Sequence, residues 1–304
     1  MGIRIKKTAS YLPKKVVDNF YFETFLDTSD DWISSRTGIK QRHFVEDSGI
    51  FDLIEKTIVN LNLSQEEIRR VKTIVVVTCT TSFAIPNLAS QVQERFGFSK
   101  ETYSLDINMG CSGFVAGLKL VEGIIKEGEC ALLIGAEVLS QILDFSDRNT
   151  AVLFGDGAGA VLLEYSKKNS IFSSGTKGNK RVLSYDHPTK GLHMEGREVY
   201  KFAVTTIGKS IDNFLKINNI KKEDINYFIS HQANIRILET LAKNLNISMD
   251  KFPSNIERVG NTSSASIPIL LDEINRESRL KHGDKILFFA FGAGLTWALA
   301  YLEW

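Results

Sequence analysis

The chain has 304 residues and a formal net charge of +1, with 37 Lys and Arg against 36 Asp and Glu. Apolar residues make up 43% and charged residues 24%, which excludes a disordered, collagen-like or coiled-coil protein. The balanced charge gives no support for a partner that is nucleic acid or for a basic membrane anchor.

The cysteine content and the lengths of the apolar runs indicate in which cellular compartment the protein is expected. Three cysteines without short spacing, Cys79, Cys111 and Cys130, predict neither a disulfide framework nor a CxxC zinc site. The N-terminus lacks the apolar core of a signal peptide, and no apolar run approaches the roughly 20 residues that span a bilayer. We therefore expect a soluble, cytoplasmic protein with reduced thiols. Five scattered histidines and no HExxH pattern predict that no metal is bound.

In the first half of the chain, short β-branched runs alternate with stretches of helical period. This alternation is typical of an α/β protein with a largely parallel sheet. The predicted elements are a strand over 71–77, a helix over 86–96, a strand over 103–107, a helix over 112–126, and strands over 130–134 and 158–163.

The second half repeats the scheme. It predicts a helix over 198–216, a strand over 227–230, helices over 235–244 and 263–278, and strands over 286–291 and 296–302. The segments 154–165 and 291–304 look alike, because each is a Gly-rich turn that leads into a strand. This echo indicates an internal duplication with a border near 165–175, and the polar stretch 166–181 is the expected linker.

The segment Gly155-Asp-Gly-Ala-Gly-Ala160 fits the G-x-G-x-x-G/A pattern of dinucleotide-binding loops. That function needs a helix after the loop, so that the helix N-terminus meets the pyrophosphate. Residues 161–165 are instead strand-like, which favours a structural turn.

Cys111 stands between a predicted strand and an apolar helix. There the helix N-terminus favours a thiolate, and Gly110 and Gly113 permit a tight turn. The alternative is an inert buried thiol, which is the expectation for Cys79 and Cys130 in their strand runs.

His231 and Asn261 each lie where a predicted helix begins. Alone, His231 could be an ordinary loop residue and Asn261 a helix cap. Because strand–helix turns of open α/β sheets meet at one edge, where ligands bind, we expect both near Cys111. A nucleophilic cysteine uses such neighbours.

Long motifs in this chain resemble those of β-ketoacyl-ACP synthase III of the thiolase superfamily. They are Thr28-Ser-Asp-Asp-Trp-Ile-Ser-Ser-Arg-Thr-Gly38, the segments 106–118 and 134–140, Ser230-His-Gln-Ala-Asn-Ile-Arg236, Gly260-Asn-Thr-Ser-Ser-Ala-Ser-Ile-Pro268 and Phe291-Gly-Ala-Gly-Leu-Thr-Trp297. The resemblance implies an α/β fold of the thiolase-like, five-layered αβαβα kind, built from two duplicated halves and usually found as a homodimer. Residues 1–168 would form the half with the nucleophile, and residues 169–304 the half with His and Asn.

The resemblance also implies an acyltransferase that initiates fatty acid biosynthesis by decarboxylating condensation of acyl-CoA with malonyl-ACP. Its catalytic residues would be Cys111, His231 and Asn261, with the backbone N–H groups of Cys111 and Ala293 as the oxyanion hole. Loss of carbon dioxide drives the reaction, so no cofactor is expected beyond the coenzyme A of the substrate.

Other roles implied by the resemblance fall on three groups of residues. Trp32, Arg36, Arg148 and Gly196 match contacts to coenzyme A. Lys201, Arg236 and Lys243 match the basic patch that docks the acyl carrier protein. Ile85 matches the residue that limits the acyl pocket of the partner subunit. The alternatives are a half-buried tryptophan and ordinary surface charges.

Two departures from the family pattern lie near the substrate. Met109-Gly110 replaces two small alanines, and Ala293 replaces a glycine of a Gly-Gly-Gly turn, where a positive φ would be costly. They fit a specialised acyl primer or acceptor. The alternative function is therefore an acyltransferase or condensing enzyme of a secondary-metabolite or cell-surface pathway. Less favoured are hydroxymethylglutaryl-CoA synthase, a non-catalytic thiolase-fold subunit and a cysteine hydrolase.

Overall fold

A computed structural model describes residues 2–81, 85–185 and 191–304. Its strands are β1 (Gly2–Tyr11), β2 (Lys15–Asp18), β3 (Gln41–Phe44), β4 (Val71–Val77), β5 (Tyr103–Ile107), β6 (Cys130–Glu137), β7 (Gly157–Ser166), β8 (Ile171–Thr176), β9 (Leu183–Ser184), β10 (His193–Met194), β11 (Tyr227–Ser230), β12 (Lys285–Gly292) and β13 (Thr296–Glu303). Its α-helices are α1 (Asn19–Glu23), α2 (Asp30–Thr37), α3 (Ile50–Leu61), α4 (Gln65–Arg70), α5 (Leu88–Arg95), α6 (Gly113–Ile124), α7 (Arg148–Ala151), α8 (Gly196–Phe202), α9 (Gly208–Ile217), α10 (Ile235–Leu245), α11 (Ile256–Val259) and α12 (Ser266–Arg276).

The larger sheet has the strand order β1-β7-β6-β4-β5. Strands β6, β4 and β5 run parallel, β7 is antiparallel to β6, and β1 is antiparallel to β7. Both faces of its centre are buried: in β4, Val75 and Val77 contribute to one core, and Ile74 and Val76 to another. A strand covered on both faces needs a continuous apolar run, which explains the sequence of β4. Each such side chain contributes about 1.5–3 kcal/mol on burial.

The smaller sheet has the order β11-β12-β13-β8. Strands β11 and β12 are parallel, and each remaining pair is antiparallel. This is the order and polarity of β4-β6-β7-β1 in the larger sheet. The described residues contain no counterpart of β5 in the smaller sheet.

Helices fill and cover the space around the two sheets. Between the sheets lie α6 and α12, which contribute Leu118 and Leu270 to a core shared with both. Helices α3 and α5 cover the outer face of the larger sheet through residues such as Leu53. Helices α9 and α10 cover the smaller sheet through residues such as Leu241. The result is five layers in the order α, β, α, β, α.

The structure differs from the predicted elements in two places. The helix predicted over 198–216 is divided into α8 and α9 by a π-helical turn at Ala203–Ile207. The stretch 166–181 is more than a linker, because it contains β8, whose partner is β13. β8 is an edge strand that faces outward at several positions, so its polar side chains hid it from a hydrophobicity pattern.

The Gly-rich loop at 155–160 is structural, as predicted, because β7 rather than a helix follows it. A Cβ atom at Gly155 would lie 2.5 Å from the carbonyl oxygen of Val259. The glycine therefore allows this loop to lie directly against the segment that precedes Asn261.

The topology brings three functional turns to one end of the sheets. β5 leads to Cys111 and α6, β11 leads to His231 and α10, and Asn261 precedes the 3₁₀ turn Ser263–Ala265 and α12. Loops at the carboxyl ends of parallel strands are where α/β proteins bind ligands. Among the described residues, no helix is long and apolar enough to cross a membrane.

Candidate active site

The nucleophile loop packs tightly against the end of β12. Gly110 has φ +51°, a value that glycine adopts at low cost. A Cβ atom at Gly292 would lie 2.9 Å from Cβ and 3.3 Å from Sγ of Cys111. Cys111 is therefore fixed between two glycines, and its partly exposed thiol lies at a cavity wall.

The His231 side chain is 2% exposed and held in one orientation. Its backbone N–H donates to the carbonyl of Phe289 at 3.0 Å. Its Nδ1 lies 2.8 Å from Oγ of Ser266, whose hydroxyl donates to the carbonyl of Ser263 at 2.7 Å. Because that hydroxyl has one hydrogen, it accepts from Nδ1–H. The neutral ring then has its lone pair on Nε2.

The Asn261 side chain is anchored through its oxygen. Oδ1 accepts from the backbone N–H of Ser263 at 2.9 Å, which leaves the two Nδ2 hydrogens as donors for a ligand. Asn261 also exchanges backbone hydrogen bonds with Leu153 and Gly155, at 2.9 and 3.0 Å. Ser263 itself has φ +47°, an uncommon conformation for serine, which these contacts hold in place.

Burial shifts the pKa values of both titratable candidate catalytic groups towards the neutral form. The pKa of the Cys111 thiol is raised to about 11, chiefly by desolvation and also by the charge of Glu137, against a hydrogen bond with Ser263. Desolvation likewise lowers the pKa of His231 to about 3. Burial thus acts on Cys111 against the thiolate that its place at a helix N-terminus favours, and the expected thiolate stays a prediction.

Two cavities meet at Cys111. The first has a volume of about 1030 Å³ and is lined by all three predicted catalytic residues. It continues past Gly196 to Trp32 at its outer end. The second has a volume of about 560 Å³ and lies beyond the thiol, where its apolar lining residues include Leu139, Ile142, Phe154, Leu183 and Leu192. Such an arrangement accommodates a molecule with a polar part and an apolar part joined near the sulfur.

The outer end of the first cavity carries an aromatic ring between two cations. The guanidinium carbons of Arg36 and Arg148 lie 4.7 and 4.8 Å from the centroid of Trp32. Nη1 of Arg148 also donates to the carbonyl of Asp27 at 2.6 Å. Arg148 therefore rests on Trp32 itself, and a base entering between them would have to displace it.

The three residues of the predicted basic patch are exposed. Lys201 lies on α8, and Arg236 and Lys243 lie on α10. Only Arg236 among them lines the first cavity, so the patch surrounds one side of its mouth.

Ile85 is 86% exposed and lines neither cavity of the single chain. Its predicted role concerns the pocket of a partner subunit and stays a prediction. Residues 82–84 before it lie outside the described residues.

Ala293 adopts its place without strain. The positive φ of its turn falls on Gly294, at +130°, and not on Ala293. The backbone nitrogen of Ala293 lies 3.6 Å from the position of a Cβ atom on Gly110, next to the nucleophile. Ala293 therefore avoids the backbone strain that a positive φ would cause at an alanine.

Sequence reasoning missed several polar residues around the site. Cys79 was expected to be inert in a strand, but it follows the end of β4 and lies with Cys111 in the second cavity. Ser266 orients His231, and Glu137 at the end of β6 lies close enough to affect both thiols. Position in the chain was the signal that could have found them. Each lies at the end of a secondary-structure element, or directly after one, on the side of the sheets where Cys111, His231 and Asn261 lie. Within the described ranges, no group of three or more His, Cys, Asp or Glu could hold a metal ion.

Comparison with known proteins places the chain in a class of enzymes, the condensing acyltransferases with a thiolase-like fold. Profiles of 3-oxoacyl-(acyl-carrier-protein) synthase III match residues 105–179, and those of its C-terminal region match residues 215–304. The β-ketoacyl-(acyl-carrier-protein) synthase III of Clostridium acetobutylicum is 42% identical, with 100% of this chain and 99% of that protein covered.

Solved structures agree with the sequence comparison. The 3-oxoacyl-(acyl-carrier-protein) synthase III of Aquifex aeolicus is 39% identical, with a TM-score of 0.91 and full coverage of both chains. The enzyme from Pseudomonas aeruginosa is 36% identical, with a TM-score of 0.94 over 100% of this chain and 98% of that one. The chain therefore belongs to the β-ketoacyl-ACP synthase III family, and the predicted family and fold class are confirmed.

Proposed function

We propose that this protein catalyses the decarboxylating Claisen condensation of an acyl-CoA primer with malonyl-ACP, through an acyl-Cys111 intermediate, as the first condensation of fatty acid biosynthesis. The observation that carries this proposal is the meeting of two cavities at one thiol, with His231 and Asn261 in the wall of the first. The coenzyme A part occupies the first cavity and the acyl chain the second.

Acylation takes place at Cys111. Sγ of Cys111 bonds to the thioester carbonyl carbon and gives up its proton to solvent. The oxyanion that forms accepts hydrogen bonds from the backbone N–H groups of Cys111 and Ala293. The carbonyl re-forms as the bond to the coenzyme A sulfur breaks, and that sulfur takes up a proton from solvent. The acyl group stays on Cys111.

Condensation uses His231 as a donor. Malonyl-ACP loses carbon dioxide, and the electron pair of the broken bond forms an enolate. The enolate oxygen accepts hydrogen bonds from Nδ2 of Asn261 and from Nε2–H of His231. That tautomer of His231 forms when Nδ1 gives its proton to solvent, Nε2 takes one up from solvent, and the Ser266 hydroxyl turns to donate to Nδ1. The enolate carbon attacks the acyl carbonyl and expels the Cys111 thiolate, which then takes up one proton from solvent.

Substrate recognition follows from the mouth of the first cavity. Trp32 and Arg148 take the adenine between them after Arg148 leaves the ring, and Arg36 contacts the neighbouring nucleotide. Planar cations and an indole suit stacking on a base. Gly196 gives the pantetheine arm close access to the backbone. The exposed Lys201, Arg236 and Lys243 dock the acidic carrier protein, and their reversal to Glu is expected to raise KM for malonyl-ACP but not for malonyl-CoA.

The protein works as a homodimer whose contact includes the free edge of β5. Strand β5 ends the larger sheet, and its Tyr103 is 57% exposed. Ile85 is also exposed on this side of the chain, before α5. An unpaired edge with apolar side chains is a site for strand pairing between copies. Light scattering on the purified protein tests this, and a monomer at micromolar concentration would contradict it.

Two halves, residues 1–168 and 169–304, divide the work, the first holding Cys111 and the second holding His231 and Asn261. The shared order and polarity of β4-β6-β7-β1 and β11-β12-β13-β8 support a duplicated origin. We place the enzyme in the cytoplasm, as its three free cysteines and its coenzyme A substrate favour. No cofactor or metal takes part.

Intact-protein mass spectrometry tests the function most directly. Incubation with a panel of acyl-CoA donors is expected to give an adduct of the acyl mass on Cys111. Loss of that adduct on addition of malonyl-ACP, with a β-ketoacyl product, identifies the acceptor. An adduct that is stable to malonyl-ACP and malonyl-CoA but discharged by another nucleophile would instead support a different acyltransferase.

A further inference from the structure

A fully buried carboxylate lies behind the nucleophile. Glu137 ends β6 and is 0% exposed. Its Oε2 accepts from the Thr80 hydroxyl at 2.7 Å and from the Cys79 backbone N–H at 3.1 Å. The Cys79 thiol lies 3.4 Å from the same oxygen and donates to it. Oε1 accepts from the Ser264 hydroxyl at 2.6 Å. Burial raises the pKa of the Glu137 carboxyl above its usual value, and the hydrogen bonds from Ser264, Thr80 and Cys79 act against that rise in favour of the charged form.

The charge of Glu137 has no cationic partner. Within the described residues, no Lys, Arg or His forms an ion pair with it. An uncompensated buried charge is costly, and hydrogen bonds alone must offset that cost. The proposed reaction assigns Glu137 no chemical step. The free-energy cost of burying its carboxylate must therefore have another role behind it.

The donors of Glu137 come from two segments that frame the site. Thr80 and Cys79 follow β4, behind the nucleophile loop. Ser264 belongs to the turn that begins directly after Asn261 and Thr262. Its neighbour Ser263 holds the Asn261 side chain through its N–H, and its carbonyl accepts from the Ser266 hydroxyl that meets His231. The Glu137 carboxylate thus links the turn Ser263–Ala265, which holds Asn261 and His231, to the segment after β4 that lies next to Cys111.

We propose that Glu137 is a positioning residue of the condensation: its charged carboxylate clamps the Ser263–Ala265 turn, and so the donors of Asn261 and His231, at a fixed distance from Cys111. The inference rests on the proposed function of that site. The clamp explains why a charge is retained where a neutral side chain would cost less.

The charge also acts on the thiols. Glu137 raises the pKa of Cys79 and of Cys111, in each case after desolvation as the largest cause. The other titratable groups that line the first cavity are Arg36, Asp147, His193, Glu195, Arg197, Tyr200, His231 and Arg236. Those that line the second are Cys79, Lys180 and Tyr185. Loss of the Glu137 charge should therefore make Cys111 easier to ionise, even while it weakens the geometry.

Glu137→Gln tests this, because it removes the charge and keeps the shape. Asp156→Asn is the matched control: Asp156 is also 0% exposed and accepts from Ser140 and Val45, but it does not act on Cys111. The first measurement is the rate of iodoacetamide alkylation at Cys111, read by peptide mass spectrometry between about pH 6 and 9. The second is single-turnover acylation beside condensation of the isolated acyl-enzyme with malonyl-ACP.

We expect Glu137→Gln to alkylate at Cys111 roughly tenfold faster than the parent at a fixed pH near 8, because a one-unit fall in pKa is tenfold in thiolate. We expect condensation to fall by roughly tenfold to a hundredfold while acylation changes far less. Asp156→Asn should change neither the alkylation rate of Cys111 nor the ratio of condensation to acylation.

Three outcomes would overturn the proposal. They are an unchanged alkylation profile in Glu137→Gln, an equal loss of acylation and condensation, and the same pattern in Asp156→Asn. If Glu137→Gln does not fold, Glu137→Asp replaces it: a shorter carboxylate keeps the charge, so the alkylation profile should stay and condensation should still fall. The alkylation measurement needs no substrate, so it stands even if the proposed reaction is wrong.

Discussion

The two cavities that meet at Cys111 differ in what lines them. The first passes His231 and Asn261 and ends at Trp32 beside two arginines. The second lies beyond the thiol between Leu139, Ile142, Leu183 and Leu192, with a polar rim at Asn179 and Lys180. Charged side chains line chiefly the first cavity, whereas apolar side chains line both cavities, and Phe154 and Leu183 belong to both linings.

This difference separates two kinds of specificity. In the proposed function the thioester carbonyl carbon lies at the sulfur, so the first cavity would select the carrier and the second would select the acyl chain. Changes in one cavity should therefore leave selection by the other intact, whereas changes at the junction should stop the reaction for every substrate. The predictions below test that separation, and they begin at the junction.

Loss of the nucleophile should have the largest effect. Cys111→Ala is expected to abolish acyl-enzyme formation with every acyl-CoA, because only this thiol lies where both cavities meet. Cys130→Ala is the control, since Cys130 is fully buried in β6. Intact-protein mass spectrometry gives the readout. An acyl adduct on Cys111→Ala, or a lost adduct in Cys130→Ala, would contradict the mechanism.

The second prediction concerns the two polar residues of the first cavity. His231→Ala and Asn261→Ala should lose condensation more severely than acylation, by at least about tenfold relative to it, because both donate to the enolate. Single-turnover acylation and condensation assays measure the ratio. Equal losses in His231→Ala, with a selective loss in Asn261→Ala, would show that His231 serves chiefly as the base for Cys111, the role that its Nδ1–H tautomer favours.

The third prediction concerns stability at low pH, which burial of His231 at the junction of the two cavities should reduce. The folded-state pKa of His231, lowered by desolvation to about 3, is below the ordinary value of 6.5, so the unfolded state binds more protons in between. This group therefore makes the protein lose stability as pH falls from about 6.5 towards 3, by up to about 1.4 kcal/mol per pH unit. Urea unfolding at pH 7 and pH 5 should show a loss that is about 2 kcal/mol smaller in His231→Gln. An equal loss in both proteins would refute the assignment.

How far the sequence predicted this arrangement depends on the type of interaction. The apolar run of β4 and the glycines around Cys111 constrain local structure, so strands, helices and the meeting of Cys111, His231 and Asn261 at one cavity followed from pattern and motif. The polar edge strand β8 carried no such pattern and was taken for a linker.

The features that the sequence did not predict were long-range contacts and electrostatic effects. Glu137 and Ser264 are 127 residues apart, and their hydrogen bond exists only because β6 and the 263–265 turn meet in the fold. Likewise, the helix N-terminus at Cys111 favours a thiolate. The degree of burial, which acts against a thiolate, follows from the packing of all surrounding elements.

The fourth prediction changes the far end of the first cavity. Trp32→Ala should raise KM for acyl-CoA by roughly tenfold, through lost stacking with the base, while kcat changes little. The preferred acyl chain length should not move, because the second cavity is untouched. Acyl-N-acetylcysteamine donors, which lack the nucleotide, provide the control and should show no difference between Trp32→Ala and the parent. A shifted chain-length preference would break the separation of the two cavities.

The smallest effect should come from Ile85, which we place at the end of the partner subunit's acyl pocket. Ile85→Phe is expected to shorten the preferred primer, and Ile85→Ala to lengthen it. One methylene of fit is worth about 1–3 kcal/mol, so kcat/KM should change roughly tenfold between neighbouring donors of about two to eight carbons. Ile217 is also largely exposed, at 77%, and lies on α9, so Ile217→Phe and Ile217→Ala are matched controls that should leave the profile unchanged. If both Ile85 variants keep the parent profile, Ile85 does not line the pocket, and the dimer that would carry it there loses its support.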